Sequence, residues 1–279
     1  MYCLRRRRSV SWWSVISRET MSSNPEGKDR GPGRAGIRIR ILGLPVDILT
    51  MEEAVARICR AWKGEQPFHV VTANLEILYS GLKDGEMARL LNGAELVTAD
   101  GAGVLLAARI RGLSLPARVA GFDLMMLCLR EAAQRAAPVF FLGAQPAVLQ
   151  QALARAKELF PGLQIAGSHH GYFSDSEAGS VVEEIRARQP RLLCVALGAP
   201  RQEKWIFRHK GKLPPCVAIG VGGSFDVLAG RTRRAPRWMQ QAGLEWLYRL
   251  LRQPSRLRRV SVIPIFLLMV LWQRLRGKV

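Results

Sequence analysis

Leu192–Leu197 reads LLCVAL and Val217–Val221 reads VAIGV, two uninterrupted apolar runs of strand length. A strand that is apolar at every position has both faces covered, and that belongs to parallel sheets with helices packed on each side. The rest of the chain repeats the theme. Ile37–Leu42 alternates apolar residues with arginine and predicts a strand, as do Phe68–Val71, Leu96–Thr98, Val139–Leu142 and Leu163–Ala166. Between them lie segments with helical spacing. Thr50-x-x-Glu53 is a capping box opening a helix to about Trp62, and Ser174-x-x-Glu177 opens another to about Arg188. Further helices are predicted over Leu75–Leu91, Gly101–Ile110, Phe122–Ala136, Pro146–Phe160, Gln202–His209 and Pro236–Gln253. Strands alternating with helices give an α/β fold: a Rossmann-like, mostly parallel sheet with helices on both faces, followed by a basic C-terminal helical appendage.

The 279 residues carry a net charge of +20, and its distribution matters more than its size. Residues 1–40 hold 10 basic and 3 acidic side chains, residues 231–279 hold 12 and 1, and the stretch between holds 20 and 18. The excess sits at the two ends, as in surfaces that meet a polyanion such as lipid phosphates or a phosphorylated substrate. A non-enzymatic polyanion-binding module would spread basic residues over the folded domain. That domain is nearly neutral, so no nucleic acid is expected as a partner. Residues 1–36 read as a flexible basic tail. Serines interrupt the stretch after Arg5–Arg8, so it lacks the roughly 7–15 apolar residues of a secretory signal. Five widely spaced cysteines without a C-x-x-C pair fit a reducing compartment.

Residues 37–235 read as the α/β domain and 236–279 as the appendage. Within the appendage, Val260–Trp272 is apolar, contains Pro264 and is bracketed by arginines. As a helix it rises about 20 Å against a bilayer core of about 30 Å. It therefore reads as a segment lying on an anionic membrane, with a helix packed on the domain as the alternative.

In open parallel sheets, ligands bind beyond the carboxyl ends of the strands. The candidates are the polar residues directly after each strand: Thr72 and Asn74, Asp100 and Gly101, Gly198 to Glu203, and Gly222 to Asp226. Asp100 is the N-cap of the next helix, a catalytic carboxylate, or both. Thr72 and Asn74 are turn or cap residues by default, and Arg118 is by default a solvated loop residue. His169-His170 reads as a loop pair. Gly220-x-Gly222-Gly223 has Phe225 where a dinucleotide fingerprint has its third glycine, so a nucleotide-dependent oxidoreductase is the weaker alternative. The sequence contains neither a P-loop nor an Asp-x-Asp pair. A bound diphosphate would then be neutralised by arginines and helix N-termini, with no metal and no cofactor expected.

Seven short motifs in order resemble the WecG/TagA/CpsF family of bacterial glycosyltransferases. They are Thr72-Ala73-Asn74, Asp100-Gly101, Arg118-Val119-Ala120-Gly121-Phe122-Asp123, Gly198 to Glu203, Gly220 to Asp226, Arg234-Ala235-Pro236 and Glu245 to Leu250. The first has alanine where the family commonly has proline. The resemblance covers about Ile37 to Arg259. It implies inverting, metal-independent transfer of a hexose or N-acetylhexosamine, such as N-acetylmannosamine or glucose, from a UDP-sugar. The implied acceptor is a polyprenyl-diphosphate-linked sugar at the inner face of the plasma membrane, in cell-surface polysaccharide synthesis. Location is then cytoplasmic and peripheral. On this reading Asp100 is the base, and Thr72 and Asn74 position sugar hydroxyls. Arg118, Arg249, Arg256 and Arg259 meet the diphosphate, and Gln202, Glu203 and Asp226 lie near the nucleotide.

Overall fold

The computed structural model describes residues 37–277, so the expected N-terminal tail lies outside the described residues. Strands β1 (Arg38–Ile41) and β2 (Leu44–Asp47) form an antiparallel hairpin. Only the first strand was expected. The turn between them holds Leu42 and Gly43 at φ of 51° and 83°, the type I′ geometry that suits a two-residue hairpin loop. Leucine is a poor residue for such a turn, so the sequence carries no hairpin signal there.

Strands β3 (Phe68–Ala73), β4 (Leu96–Ala99), β5 (Val139–Gly143), β6 (Ile165–His169), β7 (Leu192–Ala196) and β8 (Val217–Gly220) make one sheet in the order β4-β3-β8-β7-β5-β6. Every pairing in it is parallel. The helices in chain order are α1 (Met51–Ala61), α2 (Leu75–Lys83), α3 (Gly85–Gly93), α4 (Ala102–Ile110), α5 (Gly121–Gln134), α6 (Pro146–Leu159) and α7 (Ala178–Arg188). They continue as α8 (Arg201–His209), α9 (Ser224–Leu228), α10 (Arg237–Gln241), α11 (Glu245–Arg252), α12 (Leu257–Val260) and α13 (Val262–Leu275).

The two-residue period of a strand sends neighbouring side chains to opposite faces. Val70, Phe141, Cys194 and Ile219 are buried on one face with Ile58, Leu124, Ala152 and Phe225 of α1, α5, α6 and α9. Val71 and Val97 are buried on the other face with the hairpin, α2, α3, α4 and α13. Phe140 and Val195 pack there with α7 and α8. The hairpin is anchored by Asp47, whose buried carboxylate accepts the Val97 N–H at 2.6 Å and pairs with Arg38 and Arg57.

Two predicted helices are each broken in two. The Leu75–Leu91 segment divides at Asp84, whose Oδ1 accepts from the N–H groups of Glu86 and Met87 at 2.8 and 3.4 Å. A short acidic side chain that bonds backbone amides starts a new helix more readily than it continues an old one. The Pro236–Gln253 segment divides at Gly243, which takes a φ of 72° and lets Leu244 N–H close onto Met239 O.

The last helix, α13, begins two residues later than expected and holds Pro264 in its first turn, where no intrahelical N–H is required. It packs on the domain through fully buried Phe266 and Val270. Arg274 donates to Ile110 O at 2.5 Å, and Arg111 bonds Gln273. Its opposite face leaves Ile265, Leu268, Leu271, Trp272 and Leu275 exposed. Among the described residues no helix is long and apolar enough to cross a membrane.

Candidate active site

All six carboxyl ends of the parallel sheet lie along one edge. There Asp100 N–H donates to Ala73 O at 2.8 Å, and Thr72 Oγ1 donates to Gly220 O at 3.0 Å. The ends of β4, β3 and β8 are thereby tied together. Val119 N–H donates to Ala99 O at 2.9 Å and brings the start of α5 onto the end of β4.

Asp100 does not cap the helix that follows it. The N-cap of α4 is Gly101, with no side-chain bond. The Asp100 carboxylate instead accepts the N–H of Gly121, the first residue of α5. A Cβ at position 121 would lie 3.0 Å from Thr72 Oγ1 and 3.3 Å from Asp100 Oδ2. Only glycine lets α5 approach so closely. A hydroxyl, a carboxylate and a helix N-terminus therefore share one small space.

Asp100 is half-buried. Burial raises its carboxyl above the usual range, while Arg118, the Gly121 N–H and Arg249 pull it back and Glu245 adds to the rise. Such a carboxylate is a stronger base than a solvated one and still has accessible surface, as a general base requires.

The arginines come from distant parts of the chain. Arg118 Nη2 donates to Glu245 Oε2 at 2.7 Å, and Arg249 Nη2 donates to Glu245 Oε1 at 2.8 Å. Burial pushes the Glu245 carboxyl up, but Arg249, Arg118 and Arg234 together outweigh it and hold it below the usual range. Beside them Arg234 grips Asp123 with two bonds of 2.5 and 3.1 Å and lies over the Phe122 ring at 4.9 Å. Sequence reasoning carried Glu245, Asp123 and Arg234 only as motif letters without a role. The usable signal for Glu245 was its being the one acid among residues 231–279.

Other expected site residues are placed differently. Gln202 and Glu203, expected near the nucleotide, are 2% and 0% exposed. Gln202 Oε1 accepts the Gly222 N–H at 2.9 Å, and Gln202 Nε2 donates to Glu203 Oε1 at 2.7 Å. They brace the loop after β8 from below. Glu203 is pushed up to about 7 by burial, against the Gln202 hydrogen bond. Asn74 caps α2, its Oδ1 accepting the Ile77 N–H at 2.9 Å. Asp226 is half-buried beside Gly223. Arg259 Nε lies 3.5 Å from Glu76 Oε1 in the first turn of α2, and Arg256 ends the turn Pro254–Arg256. His169 and His170 follow each other at the end of β6, the Nδ1 of His169 bonding His170 O at 2.8 Å. Among the described residues no group of three or more His, Cys, Asp or Glu is gathered to hold a metal.

A Rossmann-like sheet whose carboxyl edge joins one carboxylate to a group of arginines has the make-up of a transferase with an anionic leaving group. The profile of the glycosyl transferase WecG/TagA/CpsF family matches residues 39–279. The chain belongs to that family and is a glycosyltransferase. It is 40% identical over 202 residues to the N-acetylglucosaminyldiphosphoundecaprenol N-acetyl-beta-D-mannosaminyltransferase of Bacillus spizizenii (strain W23), covering 72% of this chain and 78% of that one. It is 35% identical over 232 residues to the protein of the same name from Staphylococcus aureus (strain MW2), covering 82% and 91%. Family membership sets the oxidoreductase alternative aside.

Proposed function

We propose that the chain transfers an N-acetyl-β-D-mannosaminyl group from a UDP-sugar to N-acetylglucosaminyl-diphosphoundecaprenol. The observation that carries this reading is the meeting of Asp100, Thr72 and Arg118 at the carboxyl edge of the sheet. It stands in a chain 40% identical to a protein of that name.

The chemistry is one displacement. The acceptor hydroxyl oxygen bonds to the sugar's anomeric carbon, and the bond from that carbon to the diphosphate breaks. The hydroxyl proton goes to Asp100 and the bonding electrons leave with UDP. An α-linked donor then gives a β product. Thr72 and the Asn74 amide hold sugar hydroxyls beside the base. Arg118 and Arg249, joined by Arg256 and Arg259, take up the charge that grows on the leaving diphosphate, because the guanidinium fork makes charge-assisted bonds to phosphate oxygens. No metal is required on this reading. Gln202 and Glu203 act from beneath by fixing the Gly220–Gly222 backbone, and Asp226 lies at the rim of that loop.

The exposed side of α13 and the basic residues around it rest on the anionic leaflet that carries the acceptor's lipid. Residues 246–279 hold no acidic side chain to oppose that attraction. On this reading the enzyme works peripherally at the cytoplasmic membrane face.

A panel of UDP-sugars with a short-chain polyprenyl-diphosphate N-acetylglucosamine, scored by product mass, tests the reaction. The expected product gains one N-acetylhexosamine from UDP-N-acetylmannosamine and none from UDP-glucose. Asp100→Asn keeps the side chain's size and is expected to lower turnover by about 100-fold or more. Near-normal turnover in the folded variant would remove Asp100 from the role of base.

A further inference from the structure

Glu245 is the single acidic residue among twelve basic ones in the last 49 positions. It stands where the appendage touches the cleft. Its two carboxylate oxygens are divided: one takes Arg118, from the segment before α5, and the other takes Arg249, one turn along α11. The carboxylate side chain is only 13% exposed, Arg118 is 19% exposed, and Arg249 is 50% exposed. Arg118 also reaches Gln240 O at 3.4 Å, a second contact with the appendage.

Like charges held this close repel, and Arg234 adds a third positive group nearby. Without an anion between them, the guanidinium groups would turn toward solvent. Each guanidinium has five N–H donors, so a bond to Glu245 leaves several on each for another ligand. A carboxylate between two arginines can therefore hold both in place while each still presents donors to a phosphate.

The geometry points to Glu245 as a positioning residue that pins Arg118 and Arg249 as a pair over Asp100, so that both guanidinium groups face the substrate diphosphate together. This rests on the diphosphate reading of the cleft given above. Glu245 touches no reacting atom in this account and acts through the arginines. It also couples the appendage to catalysis, because α11 carries both Glu245 and Arg249.

The test uses the full chain and UDP as the probe. UDP affinity is measured by titration calorimetry, kcat and KM by product formation, and folding by thermal melting. Glu245→Gln keeps the shape and removes the charge. It is expected to weaken UDP by about 10-fold and to lower kcat/KM by at least as much. Glu245→Asp, one methylene too short to span both arginines, is expected to lose several-fold and serves if the Gln variant does not fold. In an Arg118→Ala/Arg249→Ala background the same Glu245→Gln change is expected to cost little more, since a residue acting through those two arginines has nothing left to position. A purely structural role would lower the melting temperature and add its full cost in both backgrounds.

Unchanged UDP affinity and kcat/KM in folded Glu245→Gln would overturn the positioning role while leaving the diphosphate reading intact. Tighter UDP binding would also overturn it, by showing that the carboxylate competes for the diphosphate seat. A wild-type chain that does not bind UDP would overturn the diphosphate reading and this role with it.

Discussion

Gly121→Ala is expected to leave the fold intact and slow the reaction. The new Cβ would sit 3.0 Å from Thr72 Oγ1, and ordinary contact begins near 3.4 Å, so the hydroxyl must retreat by about 0.4 Å. It has little room to do so. Thr72 Oγ1 is committed to Gly220 O, and the Thr72 Cβ and Asp100 Oδ2 each lie 3.3 Å from the same added carbon. The strain is therefore relieved by moving Asp100, Thr72 and the start of α5 apart by a few tenths of an ångström. A displacement of about 1 Å in a catalytic group costs about 100-fold, and this smaller one is expected to lower kcat by about 10-fold. Stability is expected to change little, because the preference of helices for alanine over glycine, about 1 kcal/mol in an interior, is smaller at this first position and is offset by the strain. The melting temperature should stay within about 4 °C of wild type. Turnover by product mass and melting by circular dichroism, on the same preparation, decide it. A folded Gly121→Ala enzyme with unchanged kcat would refute the claim that close packing of α5 sets the geometry of the base.

Three further outcomes follow from the same site and its surroundings. Activity is expected to survive exhaustive EDTA treatment, and a loss restored only by Mg²⁺ or Mn²⁺ would mean that arginines do not carry the diphosphate alone. Glu203 has a folded pKa near 7, above its ordinary value of 4.5. Its contribution to stability is therefore full below about pH 4.5 and is lost as pH rises through 7. Wild type should accordingly lose melting temperature relative to Glu203→Gln between pH 5 and 8, and parallel melting curves over that range would exclude a raised pKa. Deleting 261–279 would strip Phe266 and Val270 from the core as well as the membrane face, so substitution is the cleaner probe. Changing exposed Leu268, Trp272 and Leu275 to serine should release the protein from anionic vesicles without lowering its melting temperature, and retention on vesicles would place the membrane contact elsewhere.

The sequence alone determined the class of fold and most of its elements. Runs such as Leu192–Leu197 can be satisfied only between two covered faces, so the parallel sheet followed from hydrophobicity by itself. The rule that ligands gather beyond strand ends then singled out Thr72, Asp100 and the loop after β8 without any coordinates. Local chemistry also fixed the Thr50–Glu53 capping box, which forms with both of its bonds.

Other features depend on distances that no local pattern encodes. The hairpin turn at Leu42–Gly43 went unread because a leucine occupies a left-handed position. Asp100 read as a cap, a catalytic carboxylate or both, and only the arrival of α5, through Gly121, gave its carboxylate a partner other than the next helix. Gln202 and Glu203 read as cleft residues near the nucleotide, and the turn of α8 buries both beneath the loop of β8. The Val260–Trp272 segment read as one apolar stretch, and the fold divided it into a face buried in the core and a face left outside. The pairing of Arg118 with Glu245 joins positions 127 residues apart. Charge attraction favours many such pairs in an arginine-rich chain, and the packing of α11 against the cleft selects this one.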